Sequence, residues 1–245
     1  LLLVCNAGEE GLGNLKGVHK ICEDFGDRIE RFCTFDSSLS SIVDRAVGSK
    51  RFRVRVRTRG GHSYDDFGND NAIAGLASLV GKLYGIRVPE GGKTTYNVGM
   101  ISGGTSVNTI AQEAEMLYEF RSDRRENLEY MERQFMEVFD RAKAEGMDVS
   151  FKVIGVRPCE GQVDPKRKQA LSDWAHRVVE EMTGQAPKHC AGSTDCNIPL
   201  SLGIPSVCVG SFRGAGAHTW EEYVETDSLE EGYKVAFGMI FGSRD

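Results

Sequence analysis

Between positions 51 and 57 arginine and apolar residues alternate without a break: Arg51, Phe52, Arg53, Val54, Arg55, Val56, Arg57. A period of two puts the four arginines on one side of an extended strand and Phe52, Val54 and Val56 on the other, so the strand has one wet and one buried face. Four guanidinium groups in a row also need neutralising. Glu113, Glu115 and Glu119 alternate in the same way with Ala114, Met116, Tyr118 and Phe120. Opposite charges on paired strands support a register. An arginine stripe alone would suggest nucleic acid, but the facing glutamates favour internal pairing. The net charge of −6 leaves no basic footprint for phosphate.

The segments around these strands complete a pattern. Residues 71–84 place Ala72, Ile73, Leu76, Leu79, Val80 and Leu83 at helical spacing. Residues 94–101 and 114–122 read as strands, 127–144 as a helix ended by Gly146, and Val149, Phe151 and Val153 as a fourth strand. The order β-α-β-β-α-β over roughly 50–157 is ferredoxin-like: a four-stranded antiparallel sheet with two helices on one face, first and third strands adjacent.

The flanks read differently. Residues 1–5 are a short apolar run, expected to be a buried strand, and lead into the loop Gly8-Glu9-Glu10-Gly11. A weak helix follows over 15–25 and an apolar stretch over 31–35. Beyond Gly161, Asp164 caps a helix with Pro165 in its first turn. A short strand near His189, a helix near 196–202, a strand at 206–209 and a final helix over 229–241 complete an α/β alternation. The expected domains are therefore 1–48 and 159–245, forming one α/β catalytic layer, with 49–158 inserted as an α+β domain. No run approaches the ~18 apolar residues of a membrane span. The seven cysteines are scattered, with no CxxC pair. They read as reduced, mostly buried thiols in a cytoplasmic setting.

Candidate chemistry lies in the loops. Glu9-Glu10 follows the first apolar run, where open α/β sheets bind ligands; one carboxylate there can bind a metal and the other accept a proton from water. The plainer reading is an exposed acidic turn. Asp36 ends the next apolar run, where an aspartate is commonly just a turn former. His218 sits in a glycine-rich loop and has a ring nitrogen to offer a metal. His62 follows Gly60-Gly61, and Gly192-Ser193-Thr194-Asp195 also suits a helix N-cap.

Taken in order, these pieces are more specific. Gly8-Glu9-Glu10-Gly11, Asp36, Arg59-Gly60-Gly61-His62-Ser63, Gly103-Gly104-Thr105-Ser106-Val107-Asn108-Thr109-Ile110, Phe120-Arg121-Ser122, Gly192-Ser193-Thr194-Asp195 and Gly216-Ala217-His218-Thr219 run along the whole chain. Together the chain resembles the di-zinc exopeptidase and deacylase family that includes carboxypeptidase G, peptidase T, acetylornithine deacetylase, succinyl-diaminopimelate desuccinylase and aminoacylase.

The resemblance implies a zinc-exopeptidase-like catalytic domain with an inserted ferredoxin-like dimerisation domain, and hydrolysis of an amide in a small peptide or N-acyl amino acid. It implies two zinc ions per subunit, with Co2+ or Mn2+ as alternatives. Glu9 would be the general base, Glu10, Asp36 and His218 metal ligands, and His62 a catalytic residue contributed by the partner subunit of a homodimer. Asn108, Arg121, Gly192 and Ser193 would hold substrate, Arg121 by its planar fork; an ion pair on the sheet face is the other reading of Arg121.

The family pattern has two further ligands before the Glu-Glu loop, a His in a His-x-Asp motif and a bridging Asp. No His precedes His19 here and no Asp precedes Asp24. The chain is therefore expected to be the C-terminal portion of a longer enzyme and inactive alone. The alternative is an inactive homologue that dimerises or binds. The motifs do not choose among aminopeptidase, carboxypeptidase, dipeptidase and deacylase.

Overall fold

The computed structural model describes residues 1–217 and 219–242. Its elements run in chain order as α1 (Lys16–Phe25), β1 (Phe32–Phe35), β2 (Ser41–Ala46), β3 (Gly48–Arg57), β4 (Gly61–His62), α2 (Ala72–Tyr84), β5 (Thr94–Gly103), β6 (Thr109–Ile110), β7 (Glu113–Ser122), α3 (Arg125–Ala144) and β8 (Asp148–Arg157). Then come α4 (Pro165–Thr183), β9 (Lys188–Gly192), α5 (Asn197–Ser201), β10 (Ser206–Val209), β11 (Arg213–Ala215), β12 (Tyr223–Glu225) and α6 (Ser228–Phe241). They form two compact units, Leu1–Val47 with Arg157–Asp245, and Gly48–Val156.

The unit Gly48–Val156 contains a sheet of order β5-β7-β3-β8, the ferredoxin-like arrangement expected from the pattern. β3 and β7 are antiparallel, with Arg51 opposite Glu119, Arg55 opposite Glu115 and Arg57 opposite Glu113. Arg55 reaches Glu115 at 2.9 Å and Arg57 reaches Glu113 at 2.9 Å. The other face carries Phe52, Val54, Val56, Met116, Tyr118 and Phe120, all buried against α2 and α3. Phe135 of α3 is the hub of that core: its ring stacks 4.1 Å from Phe52 and lies 4.4 Å from Phe139 and 5.2 Å from Phe151. Asn71 caps α2 by accepting from the backbone N–H groups of Ile73 and Ala74.

The other unit holds a mixed sheet of order β1-β10-β2-β9, drawn from both ends of the chain. β10 is parallel to β1 and antiparallel to β2, and β2 is parallel to β9. Alternation divides the sheet between two layers. Ile42, Val207 and Val209 face α4 and α6 through Leu171, Trp174, Val178, Val235 and Met239. Val43 and Cys208 face the opposite way, toward Cys196 and Leu200. α1 packs on α5 through Leu15, Val18, Cys22 and Ile198. Asp164 caps α4 with Pro165 in its first turn, and Gly184 ends it at φ 70°.

One expectation fails. Leu1–Val4 do not form a strand: they are irregular and exposed, Leu1 by 92%. An apolar run becomes a strand only when a neighbour takes up its backbone N–H and C=O groups, and these residues pair with no described strand. β2, by contrast, has no clear sequence signal, because its register shifts between Val43 and Arg45 and interrupts the alternation.

Candidate active site

The loop that carries Glu9 is wound tightly. Gly13 donates to the carbonyl of Glu10 at 2.8 Å, and Lys16 to that of Gly8 at 3.2 Å. A Cβ on Gly13 would lie 2.6 Å from the Gly8 carbonyl oxygen, so the turn closes only with glycine there. Asn14 and Leu15 follow at φ 53° and 63°, a left-handed pair that turns the chain into α1.

Glu9 is partly buried and ion-paired. The Nη1 of Arg157 donates to Glu9 Oε1 at 2.9 Å, and its Nη2 donates to the Glu9 carbonyl at 2.6 Å. The same Nη1 reaches Ser193 Oγ at 3.1 Å. Burial raises the Glu9 carboxyl above its ordinary value; Arg157 pulls it down, and the negative charges of Glu10, Asp195 and Asp36 push it up again. Glu9, Glu10, Asp36 and Asp195 therefore form one electrostatic neighbourhood. Glu10 is exposed at the start of a 3-10 turn over Gly11–Gly13. Asp36 follows β1; its N–H donates to Val209 O at 3.1 Å, and its carbonyl accepts from Cys208 Sγ at 2.7 Å.

The loop after β9 closes the opposite side. Gly192 accepts from the Val47 N–H at 2.7 Å, and Ser193 meets Arg157. Asp195 is 7% exposed; its Oδ2 accepts from the Asn6 side chain at 2.5 Å, and its Oδ1 has no hydrogen bond among the described residues. Burial raises this carboxyl, and Asp36 adds to the rise. Asn197, fully buried, donates to the carbonyls of both Val47 and Pro158 at 2.9 Å and accepts from the Thr194 N–H at 2.9 Å. Sequence reading does not single out Arg157, Asp195, Asn6 or Asn197. Asp195 ends the Gly192-Ser193-Thr194-Asp195 motif, whereas Arg157 carries no local signal.

His62 and Asn108 lie at the paired strands β4 and β6 of the unit Gly48–Val156. β4 pairs with β6, setting His62 opposite Thr109, and Ser63 donates to the Asn108 carbonyl at 3.0 Å. The His62 N–H donates to Asp66 Oδ2 at 2.7 Å. Gly61 makes this turn at φ 143°, where a Cβ would come within 2.6 Å of Asp66. Arg121 grips Glu119 through two bonds, 2.8 and 3.1 Å, so its fork holds a carboxylate of its own strand. His218 lies outside the described residues.

Glu10 and Asp36 are carboxylate oxygens of the kind a divalent cation takes. Among the described residues, however, no group of three or more His, Cys, Asp or Glu can hold a metal. These residues alone do not make a metal centre.

Residues 46–147 match the family model for the M20 peptidase dimerisation domain. The chain is 35% identical over 119 residues to a homolog, in Haemophilus influenzae, of one of the subunits of p-aminobenzoyl-glutamate hydrolase, a match covering 48% of this chain and 26% of that protein. It is also similar in structure to the aminopeptidase PepT of Bacillus cereus, with TM-score 0.71 and 24% identity over 96% of this chain and 62% of that one. A tripeptidase of Staphylococcus aureus gives TM-score 0.70 and 20% identity over 93% of this chain and 60% of that one. The chain thus spans less than two thirds of the length of these relatives. The ferredoxin-like unit matches a dimerisation domain, and its sequence interrupts that of the α/β unit. Residues 46–147 are thus similar to the M20 peptidase dimerisation domain, and the whole chain shares the fold of these peptidase structures.

Proposed function

We propose that the whole protein hydrolyses an amide bond of a small peptide or N-acyl amino acid, with Glu9 as general base. The observation that carries this reading is the position of Glu9, partly buried among Glu10, Asp36 and Asp195 with one carboxylate oxygen held by Arg157. A base so placed takes a proton from the attacking water and returns it to the leaving nitrogen. His62 and Asn108, together on the inserted unit, would polarise and hold the substrate, as would Gly192 and Ser193.

Zinc dependence belongs to the same proposal: two ions per subunit, with Co2+ or Mn2+ as substitutes. Glu10, Asp36 and His218 are this chain's share of the donor set, and the described residues do not complete it. The chain by itself is therefore proposed to be inactive. The dimerisation domain supports a homodimer, and the acidic balance and free thiols support a cytoplasmic protein without nucleic-acid or membrane partners. Among the described residues, no helix is long and apolar enough to cross a membrane. The incomplete donor set favours one other reading, an inactive homologue that binds or dimerises.

The test is turnover of a panel of tripeptides, N-acyl amino acids and p-aminobenzoyl-glutamate, a compound in the name of one relative, by the zinc-loaded full-length protein. The expected result is hydrolysis of one class and a loss of roughly 10²–10⁴-fold in Glu9→Gln. Turnover unchanged by Glu9→Gln would remove Glu9 from the mechanism. No turnover across the panel would favour the binding reading.

A further inference from the structure

We propose that Arg157 is the positioning residue of this site: it holds Glu9 in place and ties the Glu9 loop to the loop after β9. The proposal rests on the assignment of Glu9 as the base. Arg157 ends β8, the last strand of the inserted sheet, where the chain returns to the α/β unit. Its side chain is only 5% exposed, and Glu9's is 21%. Both terminal nitrogens are used, one on the Glu9 carboxylate and Ser193 and the other on the Glu9 carbonyl.

A guanidinium spans such a pair of acceptors because its N–H groups are fixed in a plane, whereas a lysine ammonium is a single point. The grip is asymmetric in a useful way. Oε1 is taken by Arg157, and no described residue bonds Oε2, so one oxygen of the base is left to exchange a proton. The arm itself is anchored. The next residue, Pro158, gives its carbonyl to Asn197, which also holds Val47 and the Thr194 N–H. Arg157 Nε is buried without a hydrogen bond among the described residues. Such a donor is normally satisfied, so this side chain gives up one hydrogen bond to make its contacts with Glu9 and Ser193.

The experiment uses the full-length, zinc-loaded protein with Arg157→Gln and Arg157→Lys. A displaced base costs turnover rather than binding, so kcat in Arg157→Gln is expected to fall by about 10²-fold, with KM little changed and Arg157→Lys recovering part of the loss. Hydrogen exchange read by mass spectrometry gives a second measure, independent of activity. Peptides covering residues 6–14 and 192–195 are expected to exchange faster in Arg157→Gln, with the rest of the chain unchanged.

An unchanged kcat, a rise confined to KM, or faster exchange across the whole α/β unit would each overturn the proposal. The last would mean that Arg157 is merely structural. The function reading fails separately, through full turnover in Glu9→Gln or none in the wild type; the local exchange change still decides whether Arg157 holds the loop.

Discussion

Asp36 is backed by a thiol: Cys208 Sγ donates to its carbonyl from inside the sheet. Burial pushes Cys208 far above the ordinary thiol value, Cys33 up to about 12 and Cys22 up to about 11, and Cys196 rises for the same reason. The thiolate is the reactive species, so these sulfurs act as small apolar residues packed in the clusters of the α/β unit. Iodoacetamide at pH 8 is therefore expected to label exposed Cys5 first and to leave Cys22, Cys33, Cys196 and Cys208 intact while the protein stays folded. Peptide mass mapping checks this. Rapid labelling of Cys208 would show that the sheet beneath Asp36 is open.

The paired stripes on β3 and β7 are the clearest element-scale device. Burial tends to raise Glu119, but the hydrogen bond and charge of Arg121 and the charge of Arg51 outweigh it and hold the carboxyl below its ordinary value of 4.5. A carboxylate depressed by folding contributes stability that is fully present above its unfolded value and is lost as pH falls through the folded one. The inserted unit should therefore weaken below about pH 4.5, and Glu119→Gln should flatten that decline while lowering stability at neutral pH. Urea midpoints of the two proteins, measured from pH 7 down to pH 3, compare the slopes; parallel curves would exclude Glu119 as a contributor. Arg121 belongs to the same ladder, which is why sequence reading leaves it open between ion pair and substrate ligand.

At the scale of the whole molecule the chain leaves the α/β unit after Val47 and returns at Arg157. Asn197 holds both crossings with one amide, since Val47 and Pro158 give it their carbonyls. The proposed function assigns roles to residues of both units: Glu9 in one, His62 and Asn108 in the other. In a homodimer in which His62 serves the partner's site, two inactive variants complement each other. Mixing full-length Glu9→Gln and His62→Ala subunits should then restore roughly a quarter of wild-type turnover, because half of the dimers are mixed and each has one intact site. No recovery after verified subunit exchange would place His62 in its own subunit's site.

Sequence alone determined the inserted sheet, its strand order and the pairing of arginines with glutamates. Periodicity and charge are local signals, and paired strands carry them twice. It also marked Glu9, Glu10 and the 192–195 loop, which stand in short motifs, and Asp36, which ends an apolar run. It misread Leu1–Val4, since an apolar run specifies burial but not the neighbour that completes a ladder. Only the tertiary structure decided that Arg157 reaches Glu9, 148 residues away in the chain, and that Asn197 joins Val47 to Pro158. Those contacts depend on where folding brings distant backbones together, and no spacing along the chain records that.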